Sequence, residues 1–169
     1  MLSLDLGRLS REGSVLVEAR LSADAPLWDE SGIEWAGPVD VRLKASHAGT
    51  GEVVVRGVIE GALAQTCRRC LEPVTGSLEH AVTLVFVSSD APGFEDDDGT
   101  HVFDPGGEFD VSNAVREELM LAVDKYVVCD PDCRGLCPTC GVNRNTDSCT
   151  CTVEEADPRW EALRALKNK

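Results

Sequence analysis

Aromatic side chains are scarce in this sequence, with four Phe, three Trp and one Tyr among 169 residues. A core must therefore be built from Val, Leu, Ile and Ala, and the β-branched share of that set suits a pleated surface. Also missing is any apolar run near the roughly 18 residues of a membrane span. The N-terminus, Met1-Leu2-Ser3-Leu4-Asp5-Leu6, lacks the basic region and cleavage site of a signal peptide, so a cytoplasmic location is expected. Histidine is nearly absent. His47, His80 and His101 are scattered and are expected to be surface or strand residues, neither ligands nor bases.

Basic residues are outnumbered, 16 against 30 acidic ones, for a net charge of −14. The imbalance sits in residues 1–128, with 23 acidic and 10 basic side chains, whereas residues 129–169 hold 7 and 6. A body this negative repels phosphate backbones at long range. Direct RNA contact would need a local patch, and a basic protein is at least as natural a partner.

What is present is strand periodicity. Val15, Val17 and Ala19 alternate with Leu16, Glu18 and Arg20, and residues 39–45 repeat the pattern. Residues 22–38, rich in Gly, Pro and acids and carrying Trp28 and Trp35, read as a long connection. Two longer runs, 52–64 and 74–87, flank Cys67-Arg68-Arg69-Cys70. They form an antiparallel hairpin with a Cys-x-x-Cys turn at its tip. Residues 88–110 contain no Lys or Arg, and the stretch 90–110 reads as an acidic exposed loop. From Asp110-Val111-Ser112 a helix is expected over 111–124, with Val111, Val115, Leu119 and Ala122 on one stripe. A short last helix follows Asp157-Pro158. The class is α+β: an antiparallel sheet or partly open barrel with one packed helix. We expect a β-rich core domain over 1–128 and a cysteine-rich tail over 129–169.

The eight cysteines carry the chemistry. Besides Cys67 and Cys70 they are Cys129, Cys133, Cys137, Cys140, Cys149 and Cys151. In a reducing compartment, thiols at such spacing point to metal more than to disulfides. Four-sulfur sets are the structural form of zinc, so two ions are expected. Reach favours Cys67, Cys70, Cys129 and Cys133 as site one, which bolts the helix exit to the hairpin. Cys137, Cys140, Cys149 and Cys151 then close on themselves as site two, a knuckle. A swapped arrangement with Cys133 in the tail site stays open. Catalytic zinc keeps an open position that an all-cysteine set lacks. Thioredoxin-like redox chemistry needs a βαβ context that a hairpin does not give. The expectation is therefore a non-enzyme.

Several stretches stand out together: Cys67-Arg68-Arg69-Cys70-Leu71-Glu72-Pro73, Phe109-Asp110-Val111 after the acidic loop, and Val115-Arg116-Glu117-Glu118-Leu119-Met120-Leu121. The run from Cys133 to Asn143, Cys149-Thr150-Cys151 and Asp157-Pro158-Arg159-Trp160 complete the set. Together they resemble the YceD-like family of large ribosomal RNA subunit accumulation proteins, in its many-cysteine branch. The likeness covers about residues 40–169. Arg144 stands where the family usually has Leu between two Asn. The resemblance implies a ribosome-assembly factor needed for accumulation of large-subunit ribosomal RNA. On that basis Arg68, Arg69, Arg134, Arg144 and Arg159 are candidates to bind RNA or a pre-ribosomal particle. The alternative is an acidic chaperone or adaptor for a basic ribosomal protein, contacting it through the body and the acidic loop.

Overall fold

The computed structural model describes residues 2–48, 51–91, 101–105 and 108–152. In order the elements are β1 (Ser3–Asp5), α1 (Leu6–Glu12), β2 (Ser14–Leu21), a 3-10 turn (Pro26–Trp28), β3 (Val39–His47) and β4 (Val53–Thr66). After these come β5 (Pro73–Ser88), β6 (His101–Phe103), β7 (Glu108–Asp110) and α2 (Ser112–Ala122). The class is α+β. Strands β2-β3-β4-β5-β6 lie side by side in that order, antiparallel except for the parallel β5–β6 pair.

Alternation makes the sheet two-faced. Val39, Val41, Leu43 and Ala45 of β3 are buried, as are Val53, Val55, Ile59 and Leu63 of β4 and Val82, Leu84 and Phe86 of β5. Onto this face pack α1, α2, Trp28 and Trp35. Gly57 lies between Leu43 and Val82 in register. A Cβ there would stand 2.8 Å from a methyl carbon of Leu43 and 2.0 Å from the Arg42 carbonyl oxygen, so the neighbouring Leu occupies the missing volume.

Among the described residues two helices stand where only the one near 111–124 was expected, and α1 corrects the sequence reading. Helix α1 is capped by Asp5, which accepts from the Arg8 N–H at 2.8 Å, and it stops at Gly13 with φ 74°. It buries only Leu6 and Leu9. Strands β1 and β7 form a second, two-stranded sheet, in which Ser3 faces Asp110. The Leu2 N–H donates to Ser112 Oγ at 2.8 Å. The N-terminus is thereby tied to the start of α2. Among the described residues the larger sheet has free edges at β2 and β6, so the partly open barrel becomes an open sheet. Helix α2 buries Val115 and Leu119, with Val111 buried at its N-cap and Ala114 added, while Ala122 is only half-buried. The helix ends at Ala122, short of the expected 124.

The hairpin β4–β5 outgrows its neighbours. Strand β3 pairs with β4 as far as Glu60. Beyond that, residues 34–36 take over, through Ala36 N to Ala62 O at 2.7 Å and Ala64 N to Glu34 O at 2.8 Å. The Trp35 ring lies over Gly61, where a Cβ would come within 2.7 Å of it, and Trp28 packs on Trp35 at 5.2 Å between centroids. The long connection of the sequence reading is thus a prop for the far half of the hairpin. Strand β5 follows β4 to its end, Thr66 facing Pro73, and the cysteine turn projects from that end. The centre of the acidic loop (92–100), the short last helix and Arg159 lie outside the described residues.

Candidate metal centres

At the hairpin tip the chain must reverse within a few residues while aiming two thiols the same way. It does so with a bond from Leu71 N to Cys67 O at 3.0 Å and another from Cys67 N to Glu72 O at 2.9 Å. The tail turn repeats this, with Gly141 N to Cys137 O at 2.9 Å and Cys137 N to Val142 O at 2.8 Å. In both, the residue after the second cysteine is left-handed, with φ 63° at Leu71 and 73° at Gly141.

Glycine takes that conformation freely, whereas Leu pays about 1–2 kcal/mol for it. Leu71 is 61% exposed, so its side chain returns little by burial. Leu71→Gly is therefore expected to stabilise the chain by about 1 kcal/mol, read as a higher urea midpoint with unchanged slope. A lower midpoint would show that the Leu71 side chain holds something in place.

The described thiols fall into two groups of four that could hold a metal ion. Cys67, Cys70, Cys129 and Cys133 form one, and Cys137, Cys140, Cys149 and Cys151 the other, with all sulfurs of a group within 4.8 Å of one another. Cys133 groups with the hairpin pair, not with the tail. A zinc–sulfur bond near 2.3 Å implies tetrahedral S···S edges of about 3.8 Å. Cys67 and Cys133 are 3.9 Å apart, and Cys70 and Cys129 3.5 Å. The donor set and spacing therefore fit a closed tetrathiolate ion. Cys67, Cys70 and Cys133 are buried and Cys129 is exposed; in the second group only Cys137 is buried.

Backbone N–H groups converge on one sulfur of each turn. The Cys67 thiol is lowered to about 6, chiefly by the Cys70 N–H, helped by those of Cys129 and Arg69. That of Cys137 is lowered to about 6 by the N–H groups of Cys140 and Thr139. The opposite holds for Cys129, raised to about 12 by the side chains of Cys70 and Cys133, and for Cys151, raised to about 12 by Cys140. In each group one sulfur is thus a ready thiolate at neutral pH while another keeps its proton beside it. A dication must displace the retained protons. Loading at pH 7 is expected to acidify a weakly buffered solution, so affinity already falls as the pH drops through neutrality, and it falls more steeply below about 6, where Cys67 and Cys137 protonate as well. An indicator-dye titration showing no proton release would contradict this assignment of the thiolates.

The arginines proposed from sequence are largely engaged. Arg68 Nε donates to Lys125 O at 2.6 Å, and its guanidinium lies 5.5 Å from the Tyr126 ring centroid. One Arg69 nitrogen donates to Pro131 O at 3.1 Å and Cys133 O at 3.0 Å. Arg134 donates to Asn145 O at 3.2 Å. With Arg68 N to Val127 O and Leu136 N to Arg69 O, both 2.9 Å, the Arg68 and Arg69 bonds stitch the chain after α2 to the hairpin tip, whereas the Arg134 bond lies within that chain. Arg134 and Arg144 share a recess of ≈ 180 Å3 with Cys137 and Cys149, and the Arg144 side chain is exposed. The histidines stand in β3, β5 and β6, with His80 paired to Glu118 at 3.3 Å. Sequence reasoning overlooked Glu72, Asn143 and Asn145, which line the joint between the groups. Asn143-x-Asn145 was the available signal, because short amides so spaced bond locally to backbone.

Residues 55–167 match the family described as large ribosomal RNA subunit accumulation protein YceD. An uncharacterized protein of Mycobacterium tuberculosis is 29% identical over 168 residues, covering 96% of this chain and 79% of its own length. A maize protein named large ribosomal RNA subunit accumulation protein YCED homolog 1, chloroplastic, is 28% identical over 177 residues, covering 88% of this chain and 60% of its own. The Arabidopsis thaliana protein of the same name is 34% identical over 62 residues, covering 37% of this chain and 19% of its own. No solved structure matches. No helix of the described residues is long and apolar enough to cross a membrane.

Proposed function

The chain belongs to the YceD family of large ribosomal RNA subunit accumulation proteins, and from that premise we propose that it is a non-catalytic ribosome-assembly factor. It supports accumulation of large-subunit ribosomal RNA by binding the RNA, or a pre-ribosomal intermediate, through the end that two zinc ions organise. The observation that carries the reading is the pair of four-thiol groups set side by side at the hairpin end of a chain matched to this family over 55–167. Zinc supplies rigidity there. It fixes backbone that has almost no apolar core of its own, so that exposed groups on it meet a partner without first being ordered.

One observation favours a second reading, an acidic chaperone or adaptor for a basic ribosomal protein. Donors of Arg68, Arg69 and Arg134 are already spent on carbonyls, and the chain carries −14. Reversing Arg68 and Arg69 together is then a poor test of RNA contact, since it also unpicks the joint. Arg144→Glu changes an exposed cation with no side-chain bond among the described residues. The discriminating experiment is ultraviolet crosslinking of the whole protein in growing cells, with Arg144→Glu beside it. Crosslinks to large-subunit ribosomal RNA that weaken in the variant support the first reading. Crosslinks to a basic ribosomal protein alone support the second.

A further inference from the structure

The two groups of thiols are not independent neighbours. Asn145 lies in the loop between Cys140 and Cys149, both of the second group, yet its Nδ2 donates to Cys133 Sγ of the first at 3.3 Å. Which end of the amide faces the sulfur is fixed by its other bonds. Oδ1 accepts from the Arg134 N–H at 2.8 Å, and Nδ2 also donates to Asn143 Oδ1 at 3.0 Å. Asn143 Oδ1 in turn accepts from the Asn145 N–H at 3.0 Å, while Asn143 Nδ2 reaches Glu72 Oε1 of the hairpin turn at 3.2 Å. Backbone closes the joint through Arg144 N to Gly135 O at 2.9 Å. A Cβ on Gly135 would stand 2.9 Å from Arg69 O, so the layers touch without slack.

We propose that Asn145 is a positioning residue for the metal of the first site, held in place by the loop that the second site closes, so that the two ions bind cooperatively. The proposal rests on the zinc reading above. Its logic is geometric. The second site takes all four sulfurs from 15 consecutive residues, Cys137 to Cys151, and can close without the rest of the fold. Closing it fixes the loop 141–148 and aims the Asn145 amide at a sulfur contributed by a different segment. A thiolate that accepts an N–H is a weaker base and a better-oriented ligand, and such outer contacts typically carry about 10–100-fold in metal affinity. By linkage the coupling is reciprocal: filling the first site tightens the second by the same factor.

Isotopically enriched cadmium, a thiophilic dication visible by NMR, gives one signal per tetrathiolate site in the whole protein, and chelator competition ranks the two affinities. Asn145→Asp keeps the oxygen that accepts from Arg134 but sets a carboxylate against the sulfur; Asn145→Ala only removes the donor. Both are expected to lower first-site affinity by about 10–100-fold, Asp the more. Disabling the second site with Cys149→Ser and Cys151→Ser is expected to lower it comparably, with the sheet intact by far-ultraviolet dichroism. Leu121→Ala, exposed on α2, should leave both signals unchanged. First-site affinity within about twofold of wild type in either Asn145 variant or in the double Ser variant would overturn the proposal. An equal loss in Leu121→Ala would do the same, by showing general loosening. Two normal signals without coupling would leave the metal reading standing, whereas no tetrathiolate signal in the wild type would sink both.

Discussion

Chelation at neutral pH is expected to release the chain after α2 from the hairpin while the sheet stays folded. The two parts are held by different forces. The body has a continuous apolar cluster that runs from Leu2 and Leu4 through β3, β4 and β5 to Leu119. Around the first thiol group the buried cluster is only Cys67, Cys70 and Cys133, with Val74 and Val128 against it, too little apolar area to repay the ordering of the residues that follow α2. A structural zinc site contributes on the order of 10 kcal/mol in apparent terms, far more than the few backbone and arginine bonds left across the joint. Limited proteolysis with and without chelator reads the outcome. Cleavage should appear between residues 125 and 151, with all eight thiols reactive and β-sheet dichroism largely retained. Full protease resistance of 125–151 after metal removal would show that direct contacts suffice.

Leu119→Ala is expected to cost about 3 kcal/mol, whereas Leu121→Ala, two residues on, should change stability by under about 0.5 kcal/mol. The contrast follows from helix phase. Leu119 is 0% exposed and sits in the core with Val115 and Val111, and Leu121 is 85% exposed. Because α2 leads directly into Asp124 and Lys125, whose carbonyls accept from Gln65 and Arg68, loosening it is also expected to loosen the joint at the hairpin tip. Urea unfolding of the holoprotein measures both variants. Equal losses would place the helix in the wrong rotational register.

How much of this was legible beforehand depended on the range of each signal. The hairpin showed because alternation ran through 14 residues of β4 and 16 of β5 on either side of a recognisable turn. Helix α2 showed through Val111, Val115 and Leu119. Helix α1 did not, because seven residues with two core positions look like part of the alternation Leu2, Leu4, Leu6. Strands β1 and β7 are three residues each, and their pairing joins Ser3 to Asp110, a contact no local pattern announces. Residues 34–36 read as connection because what fixes them is Gly61, a vacancy on another strand that admits the Trp35 ring. At the thiols, spacing and reach suggested the groups that the fold brings together. The engagement of Arg68 and Arg69 was not legible, since a basic residue in an exposed turn reads as free until the carbonyls of Lys125, Pro131 and Cys133 are placed beside it. The Asn145 contact with Cys133 crosses between the groups and depends on how both turns stack.

Metal content is the most direct test of the two-zinc reading. Elemental analysis of the whole protein, purified without added metal, is to be paired with a titration of reactive thiols before and after chelation. The prediction is two zinc ions per chain, with no reactive thiol before chelation and all eight after it. A chain without zinc whose thiols react freely while residues 125–151 stay ordered would contradict it.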